Sequence, residues 1–396
     1  MQETPPLATE SLPGAAAGRS ARFIYIAAPW TPVGGGMYKV TDYLIQSQAA
    51  HPGADAAQLR PLDSRGGRGP GWSLWVLLTA LARILAGRLG GQLAGVHVNV
   101  GERLSFVRKG SIIAWCRLLR IPVVLHQHAQ MQRFYRRQPA LLQAVMRWVF
   151  GLADAVVVIG PAARRFVIED LKVPADRVEI VINGVPAASQ PRRVRQAGGT
   201  QRVMFLGNLG PLKGVDDLMQ ALARPGFDRQ RLEVTIAGGG DLAGYRAKAQ
   251  ELGIADFVRL PGWCDQAAAA RLLADTDVLI LPSYDEVLPL VVLEALANGV
   301  AVICTAVGEV PSLLSDGVDA LYVQPGDIDG IAATLQRVLG DAKLLETVAH
   351  NGHALYRRQF SLQRFFAGVA RVHQRAFGIA GRPRDAGAAS TEERAP

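Results

Sequence analysis

The chain is poor in cysteine, in net negative charge and in long apolar runs, and each shortage removes a class of protein. Three cysteines, Cys116, Cys264 and Cys304, are spread over 396 residues. They form no Cys-x-x-Cys pair, so neither a disulfide framework nor a thiolate zinc site is expected; three reduced, buried thiols are the plain reading. No glycine loop carries Gly-Lys-Ser/Thr, which excludes a P-loop. The first twenty residues lack a basic start followed by an apolar core, so no signal peptide is read there and a cytoplasmic protein is expected. The most apolar stretch runs from Gly71 to Gly90, where Arg83 and Arg88 break it short of the ~20 residues that a membrane span needs. It reads as an amphipathic or buried helix. No repeat with a period of twenty to fifty residues is present.

What the chain does have is apolar material, glycine and an uneven charge. Apolar residues make up 49% and there are 42 glycines, enough to fold two domains at this length. The formal net charge of +9 lies in one half. Residues 1–190 hold 21 Lys/Arg against 11 Asp/Glu, and residues 191–396 hold 22 against 23. The basic half suits an anionic lipid surface, a phosphate-bearing acceptor or nucleic acid. No nucleic-acid recognition motif accompanies it, so no nucleic-acid partner is expected.

Residues 1–20 and the last residues, from 379 to 396, are rich in Pro, Ala and Gly and read as tails. Between them strand, glycine loop and helix alternate twice. In the first run (21–189), Arg22–Ala28, Gly95–Val100, Pro122–His126, Ala155–Ile159 and Val178–Ile182 read as strands. Met37–Gln48, Leu104–Leu119 and Pro139–Leu152 read as helices. A polar linker is placed at 190–200. The second run (201–359) has strands at Arg202–Gly207, Leu232–Ala237, Phe257–Leu260, Val278–Leu281 and Val300–Cys304. A terminal helix at 360–378 packs back towards the first domain. Buried, Val/Ile-rich strands alternating with helices predict parallel sheets covered on both faces. The fold class is therefore α/β, with two Rossmann-like domains facing across a cleft that the carboxyl ends of both sheets line.

The most informative residues are Glu286 and Glu294. Glu286 ends a loop after an apolar strand, and Glu294 lies on the helix that follows, so both can face the cleft. A helix N-terminus attracts anions and carboxylates accept hydrogen bonds from hydroxyls, so the pair suits a ligand with phosphates and many hydroxyls. Gly34-Gly35-Gly36 lets backbone amides approach an anion, but its spacing does not fit a nicotinamide-binding fingerprint. Gly207-Asn208-Leu209-Gly210-Pro211-Leu212-Lys213-Gly214 puts Lys213 at a helix start, where its ammonium can meet a diphosphate. His126-Gln127-His128 directs two rings to one side of an extended segment. No third ligand is in view, so no metal is expected. A single hydrogen-bonding histidine at the sugar, His128 rather than His126, or a purely structural one, fits better. Arg133, Arg136, Arg137 and Arg147, interleaved with Phe134, Tyr135 and Trp148, form a basic-aromatic patch that Trp72, Trp75, Arg83 and Arg88 can extend. It fits an acceptor or interfacial membrane surface, or an ordinary solvated face.

Taken together, these motifs resemble the retaining GT-B glycosyltransferases of family 4, also called group 1. The resemblance is strongest over about 201–340. It extends to the glycine loop, His128 and Asn183-Gly184-Val185. It implies that Glu294 holds the ribose hydroxyls of a nucleoside-diphosphate sugar and that Glu286 contacts the donor sugar. The backbone of Pro289, Leu290 and Val291 would meet sugar or phosphate. Lys213, beside Asn208, would neutralise the diphosphate, which Gly35 and Gly36 would approach from the other domain. His128 would hydrogen-bond the transferring sugar. The family needs no metal or cofactor. Asn208 stands where an Arg commonly partners the Lys, Ala129 replaces a frequent Gly, and Val287 and Pro289 replace glycines. The implied reaction moves a sugar from a UDP- or GDP-sugar to a saccharide acceptor, with polyprenyl-diphosphate-linked glycans at the inner face of a bacterial membrane as the expected class. A GT-B nucleotide-sugar epimerase, or a non-catalytic nucleotide-sugar binder favoured by Asn208, are the other readings.

Overall fold

The structure, a computed structural model, describes residues 22–30, 35–50, 57–67, 69–188 and 198–379. The 1–20 tail, residues 380–396 of the other tail, residues 190–197 of the linker and residues 32–34 of the glycine loop lie outside the described residues.

Two parallel sheets carry the fold. The first is built from β1 (Phe23–Ala28), β2 (Gln58–Asp63), β3 (Leu93–Val100), β4 (Val123–Gln127), β5 (Ala155–Val158) and β6 (Val178–Ile180), in the order β2-β1-β3-β4-β5-β6. The second contains β7 (Gln201–Leu206), β8 (Leu232–Ala237), β9 (Val258–Gly262), β10 (Val278–Leu281), β11 (Ala301–Thr305) and β12 (Leu321–Val323), in the order β12-β11-β10-β7-β8-β9. Every pairing between these strands is parallel. Central strands such as Ala-Val-Val-Val in β5 and Val-Leu-Ile-Leu in β10 are buried throughout, as a sheet covered on both faces requires. This is the architecture expected from the alternation.

Two strands and four helices escape the sequence pattern. β2 is Gln-Leu-Arg-Pro-Leu-Asp, and its Arg60 and Pro61 disguise it. It is an edge strand, where a proline removes no ladder bond that the sheet needs. Arg60 lies over the Phe23 ring, 4.1 Å from its centroid. β12 is short and also at an edge. The Met131–Arg136, Pro161–Glu169, Leu242–Glu251 and Ala342–Leu355 helices are likewise absent from the sequence reading. The Pro70–Leu89 helix is twenty residues long, and its Gly71–Leu89 part is apolar enough to cross a membrane by length and composition. Its inner face, Val76, Leu77, Ala80 and Ile84, packs into the first domain, whereas Trp72, Leu74, Trp75 and Leu78 are exposed.

The Leu362–Phe377 helix, capped by Ser361, leaves the second domain and lies on the first sheet. Phe365, Val369, Val372 and Phe377 join Ile24, Ile26, Val124 and Val157 in one core. The helix also carries His373 into a buried histidine chain. His97 Nδ1 lies 2.8 Å from His373 Nε2, and His97 Nε2 lies 3.2 Å from His126 Nδ1. Burial lowers all three below the ordinary imidazole range, His97 to about 3. The rings are therefore neutral, and alternate donor and acceptor nitrogens along the chain.

This chain makes stability depend on pH. A histidine with a depressed folded pKa binds fewer protons folded than unfolded below about 6.5. Its contribution is fully present above that pH and is lost as pH falls, by up to ~1.4 kcal/mol per pH unit for each histidine. The melting temperature should fall steeply between pH 7 and pH 5, and His373→Leu should flatten that slope. An equal slope in the variant would show that the chain is not the cause.

Candidate functional site

The loops after the strands converge where the two domains face each other, and sequence-distant side chains meet there. In the second domain the Pro211–Lys213 turn and the Ser283–Leu288 loop lie side by side, joined by a 2.9 Å bond from Tyr284 N to Leu212 O. Gly214 permits that approach. It has φ +68°, and a Cβ there would collide with the Pro282 carbonyl. Only glycine adopts this conformation without strain. The result is that the Lys213 ammonium pairs with Glu286 Oε1, to which Ser283 Oγ also donates at 3.2 Å. The Glu286 loop is braced in turn by Gly308, at φ +61°, and by Glu309 N donating to Val287 O at 2.7 Å.

Glu294 sits in the Leu290–Ala297 helix, whose first turn follows Pro289. Its carboxylate pairs with Lys39 of the first domain. Lys39 was not among the residues singled out from sequence, although it lies on the Gly36–Ala50 helix, one turn beyond the glycine loop. The glycine loop itself reaches the same place: a Cβ on Gly36 would lie 3.4 Å from Leu290 Cδ1, and one on Gly35 would meet nothing within 4 Å. Gly35 and Gly36 are exposed, Pro289 is buried, and Leu290 and Val291 are half-buried. Asn208 is exposed on its loop, near Gly239.

His128 follows β4, its backbone N–H bonded to Val100 O at 3.0 Å. Its Nε2 lies 2.8 Å from Asn99 Oδ1, while Asn99 Nδ2 donates to Ala27 O at 3.3 Å. Because the amide nitrogen of Asn99 is spent on a carbonyl, its oxygen faces the histidine, so Nε2 donates and Nδ1 keeps a lone pair. Burial, then the neighbouring His97 and Lys109, push His128 down to about 3. His126, the other histidine of the motif, is buried in the histidine chain instead. Among the described residues no group of three His, Cys, Asp or Glu is placed to hold a metal.

The two domains are bolted together around this cleft. Gln130 Nε2 donates to Glu286 O. Glu309, 3% exposed, caps the Pro161–Glu169 helix of the other domain, accepting from Ala162 N at 3.1 Å and Ala163 N at 2.6 Å. A carboxylate at a helix start satisfies two free amides and the dipole together. Arg133 pairs with Asp285 at 3.1 Å. It therefore lies at the mouth of the cleft and is exposed there, as are Arg136 and Arg137. Arg147, also read as part of the patch, donates to Tyr135 Oη. Glu309, Asn99 and Lys39 gave no signal in the sequence because their partners lie 29 to 255 positions away.

Comparisons with known proteins bear on the family and the fold. Among curated proteins, an α-(1→4)-mannosyltransferase of Mycolicibacterium hassiacum is 28% identical over 316 residues, 74% of this chain and 73% of that protein. A D-inositol 3-phosphate glycosyltransferase of Thermobispora bispora is 30% identical over 258 residues, 60% of each chain. An uncharacterised glycosyltransferase of Methanocaldococcus jannaschii is 25% identical over 240 residues, 57% of this chain and 61% of the relative. The match thus spans roughly six to seven tenths of these relatives. In fold, sucrose-phosphate synthase from Thermosynechococcus elongatus superposes with a TM-score of 0.73 at 20% identity, covering 90% of this chain and 99% of that one. An Anabaena protein solved with UDP and glucose gives 0.65 at 18% identity, covering 89% and 98%. The family model for group 1 glycosyl transferases matches residues 188–354, and that for glycosyltransferase family 4 matches residues 65–189. Two Rossmann-like domains, the facing acidic pair and these matches together place the chain in the group 1 (family 4) glycosyltransferases of GT-B fold.

Proposed function

We propose that the chain transfers a sugar from a nucleoside-diphosphate sugar to a saccharide acceptor. The observation that carries the reading is the convergence of Lys213, Glu286, Glu294 and the glycine-loop helix on one interdomain cleft, with His128 on the facing wall. In this reading Glu294 exchanges the Lys39 ammonium for the ribose hydroxyls, and Lys213 turns to the diphosphate. Asn208 adds a polar contact, Pro289, Leu290 and Val291 present backbone to sugar and phosphate, and Glu286 holds the sugar hydroxyls. The Anabaena neighbour, solved with UDP-glucose as well, supports a nucleotide sugar as donor. UDP or GDP is the expected carrier.

The chemistry follows from where charge develops. The anomeric carbon–oxygen bond breaks and its electron pair stays with the departing diphosphate. Lys213 and the amides of the glycine-loop helix stabilise that charge. The acceptor oxygen bonds to the anomeric carbon from the same face, and its proton passes to the departing diphosphate. A neutral His128, with Nε2 held by Asn99, offers Nδ1 to a sugar hydroxyl. No metal or cofactor takes part in this proposal. Retention of the anomeric configuration would be read by NMR of the product; an inverted anomer would overturn the stereochemical part.

The acceptor is proposed to be lipid-linked, as in exopolysaccharide or surface-glycan assembly, with the first domain resting on the cytoplasmic face of the membrane. Three neighbouring helices of that domain, Pro70–Leu89, Leu104–Leu118 and Ala140–Gly151, expose Trp75 and Leu78, Leu104 and Val107, and Leu141 and Trp148. Exposed Arg83, Arg88, Arg117 and Arg136 accompany them. Apolar side chains beside arginines suit the headgroup region of an anionic bilayer.

Thermal shift with UDP, GDP, ADP and their common sugars tests the donor site. One nucleotide family should raise the melting temperature, by the equivalent of about 2.7 kcal/mol at a hundredfold excess over Kd. Glu294→Ala and Lys213→Ala should abolish the shift, and Lys213→Ala should cut turnover about 10²- to 10³-fold. No shift, or one unchanged in both variants, would contradict the reading. For the membrane, co-sedimentation with phosphatidylglycerol vesicles at low salt should be strong and weakened by Trp75→Ala/Leu78→Ala; absence of binding would remove the membrane from the proposal.

A further inference from the structure

A lysine stands in the core of the first domain where an apolar residue belongs. The buried stripe of the Leu104–Leu118 helix reads Phe106, Lys109, Ile113 and Cys116, an i, i+3, i+7, i+10 spacing that faces one side. Lys109 is 1% exposed. Its ammonium has one hydrogen-bond partner among the described residues, Ser105 Oγ at 3.0 Å, and no carboxylate within ion-pair distance. Burying a charge without pairing it is costly, so the site calls for a counter-ion.

Two further polar groups in this region lack hydrogen-bond partners among the described residues. Ser64 is fully buried, and among the described residues neither its Oγ nor the buried Arg108 Nε has a hydrogen-bond partner. The nearby carboxylate, Asp63, does not serve as counter-ion. Its oxygens accept from the backbone amides of Trp30, Arg65 and Gly66 at 2.9–3.3 Å and hold the loop after β2. The field at Lys109 comes from Arg108, Asp63 and Arg65, and burial followed by Arg108 draws its pKa down to about 7. Ser64 follows β2, Gly101 and Ser105 follow β3, and His128 follows β4. The group therefore lies at the carboxyl ends of the first sheet, on the acceptor-side wall, and Lys109 is close enough to depress the His128 pKa.

We propose that Lys109, Arg108 and Ser64 form an anion subsite of the first domain that takes a phosphoryl group of the acceptor. An ammonium, a guanidinium N–H and a hydroxyl together supply the three donors that a phosphate's oxygens accept. The inference deepens the transferase reading, because it assigns the acceptor a phosphate close to the hydroxyl that is glycosylated. The phosphate can belong to a lipid carrier or to a soluble sugar phosphate; both present the same group to the site.

The test is made on the full chain carrying Lys213→Ala, which removes the donor-site cation. Inorganic phosphate is titrated by calorimetry, followed by hexose 6-phosphate and a short-chain alkyl phosphate. Phosphate should bind, and adding Lys109→Met should weaken it about tenfold or more, the loss of one charged hydrogen bond. Arg108→Gln, a half-exposed position, should weaken it as well and serves if the methionine variant fails to fold. Preference for the alkyl or the hexose phosphate identifies the source. No phosphate binding, or equal binding by both variants, overturns the subsite. UDP binding by the Lys109→Met single variant reports the donor site separately, so a failed donor site and a failed subsite give different results.

Discussion

Two carboxylates lining one partly enclosed cleft repel each other unless each is given a cation, and the structure around Glu286 and Glu294 is arranged to do so. Lys213 comes to Glu286 from a neighbouring loop of the same domain, and Lys39 comes to Glu294 from the opposite domain. The first pair is local and is set by backbone bracing. The second exists only because the domains close. Both are the kind of contact that a polyhydroxylated, phosphorylated ligand can replace group for group, since hydroxyls donate to carboxylates and phosphate accepts from ammonium.

Closure is held by side chains that reach across the cleft to backbone groups and, in one case, to a carboxylate. Glu309 caps a helix across the cleft, Gln130 reaches the Glu286 carbonyl, and Arg133 reaches Asp285. The C-terminal helix is a second tie, since it starts beside the second domain and ends in the core of the first. A neutral histidine chain beneath β3 and β4 fixes that tie, and His128 stands at its edge, its protonation site set by Asn99. Domain geometry and the chemistry of the cleft wall therefore share one set of buried bonds.

The central strands were legible because burial on both faces leaves runs such as Val-Leu-Ile-Leu with no alternation to disguise. β2 was not, because an edge strand tolerates Arg60 and Pro61, which composition reads as loop. The positions of Glu286, Glu294, Lys213 and His128 were legible because each follows a recognisable strand or lies at or just inside the helix after one, which fixes its end of the sheet. Lys39, Asn99 and Glu309 were not, since what gives them meaning is a partner supplied by tertiary folding. Arg133 was legible in part for the same reason: in sequence it belongs to a basic cluster, and in space it also pairs with Asp285. Lys109 could have been noticed as a charge on an apolar stripe, the one local sign of a buried group left without a counter-ion.

The central claim is that the cleft between the sheets binds a nucleoside-diphosphate sugar by displacing its own ion pairs. A crystal structure with the stabilising nucleoside diphosphate tests it most directly. The expected result is a diphosphate within hydrogen-bond distance of Lys213 and a ribose on Glu294, with Lys39 displaced. A nucleotide bound elsewhere, with the Lys39–Glu294 and Lys213–Glu286 pairs intact, would contradict it.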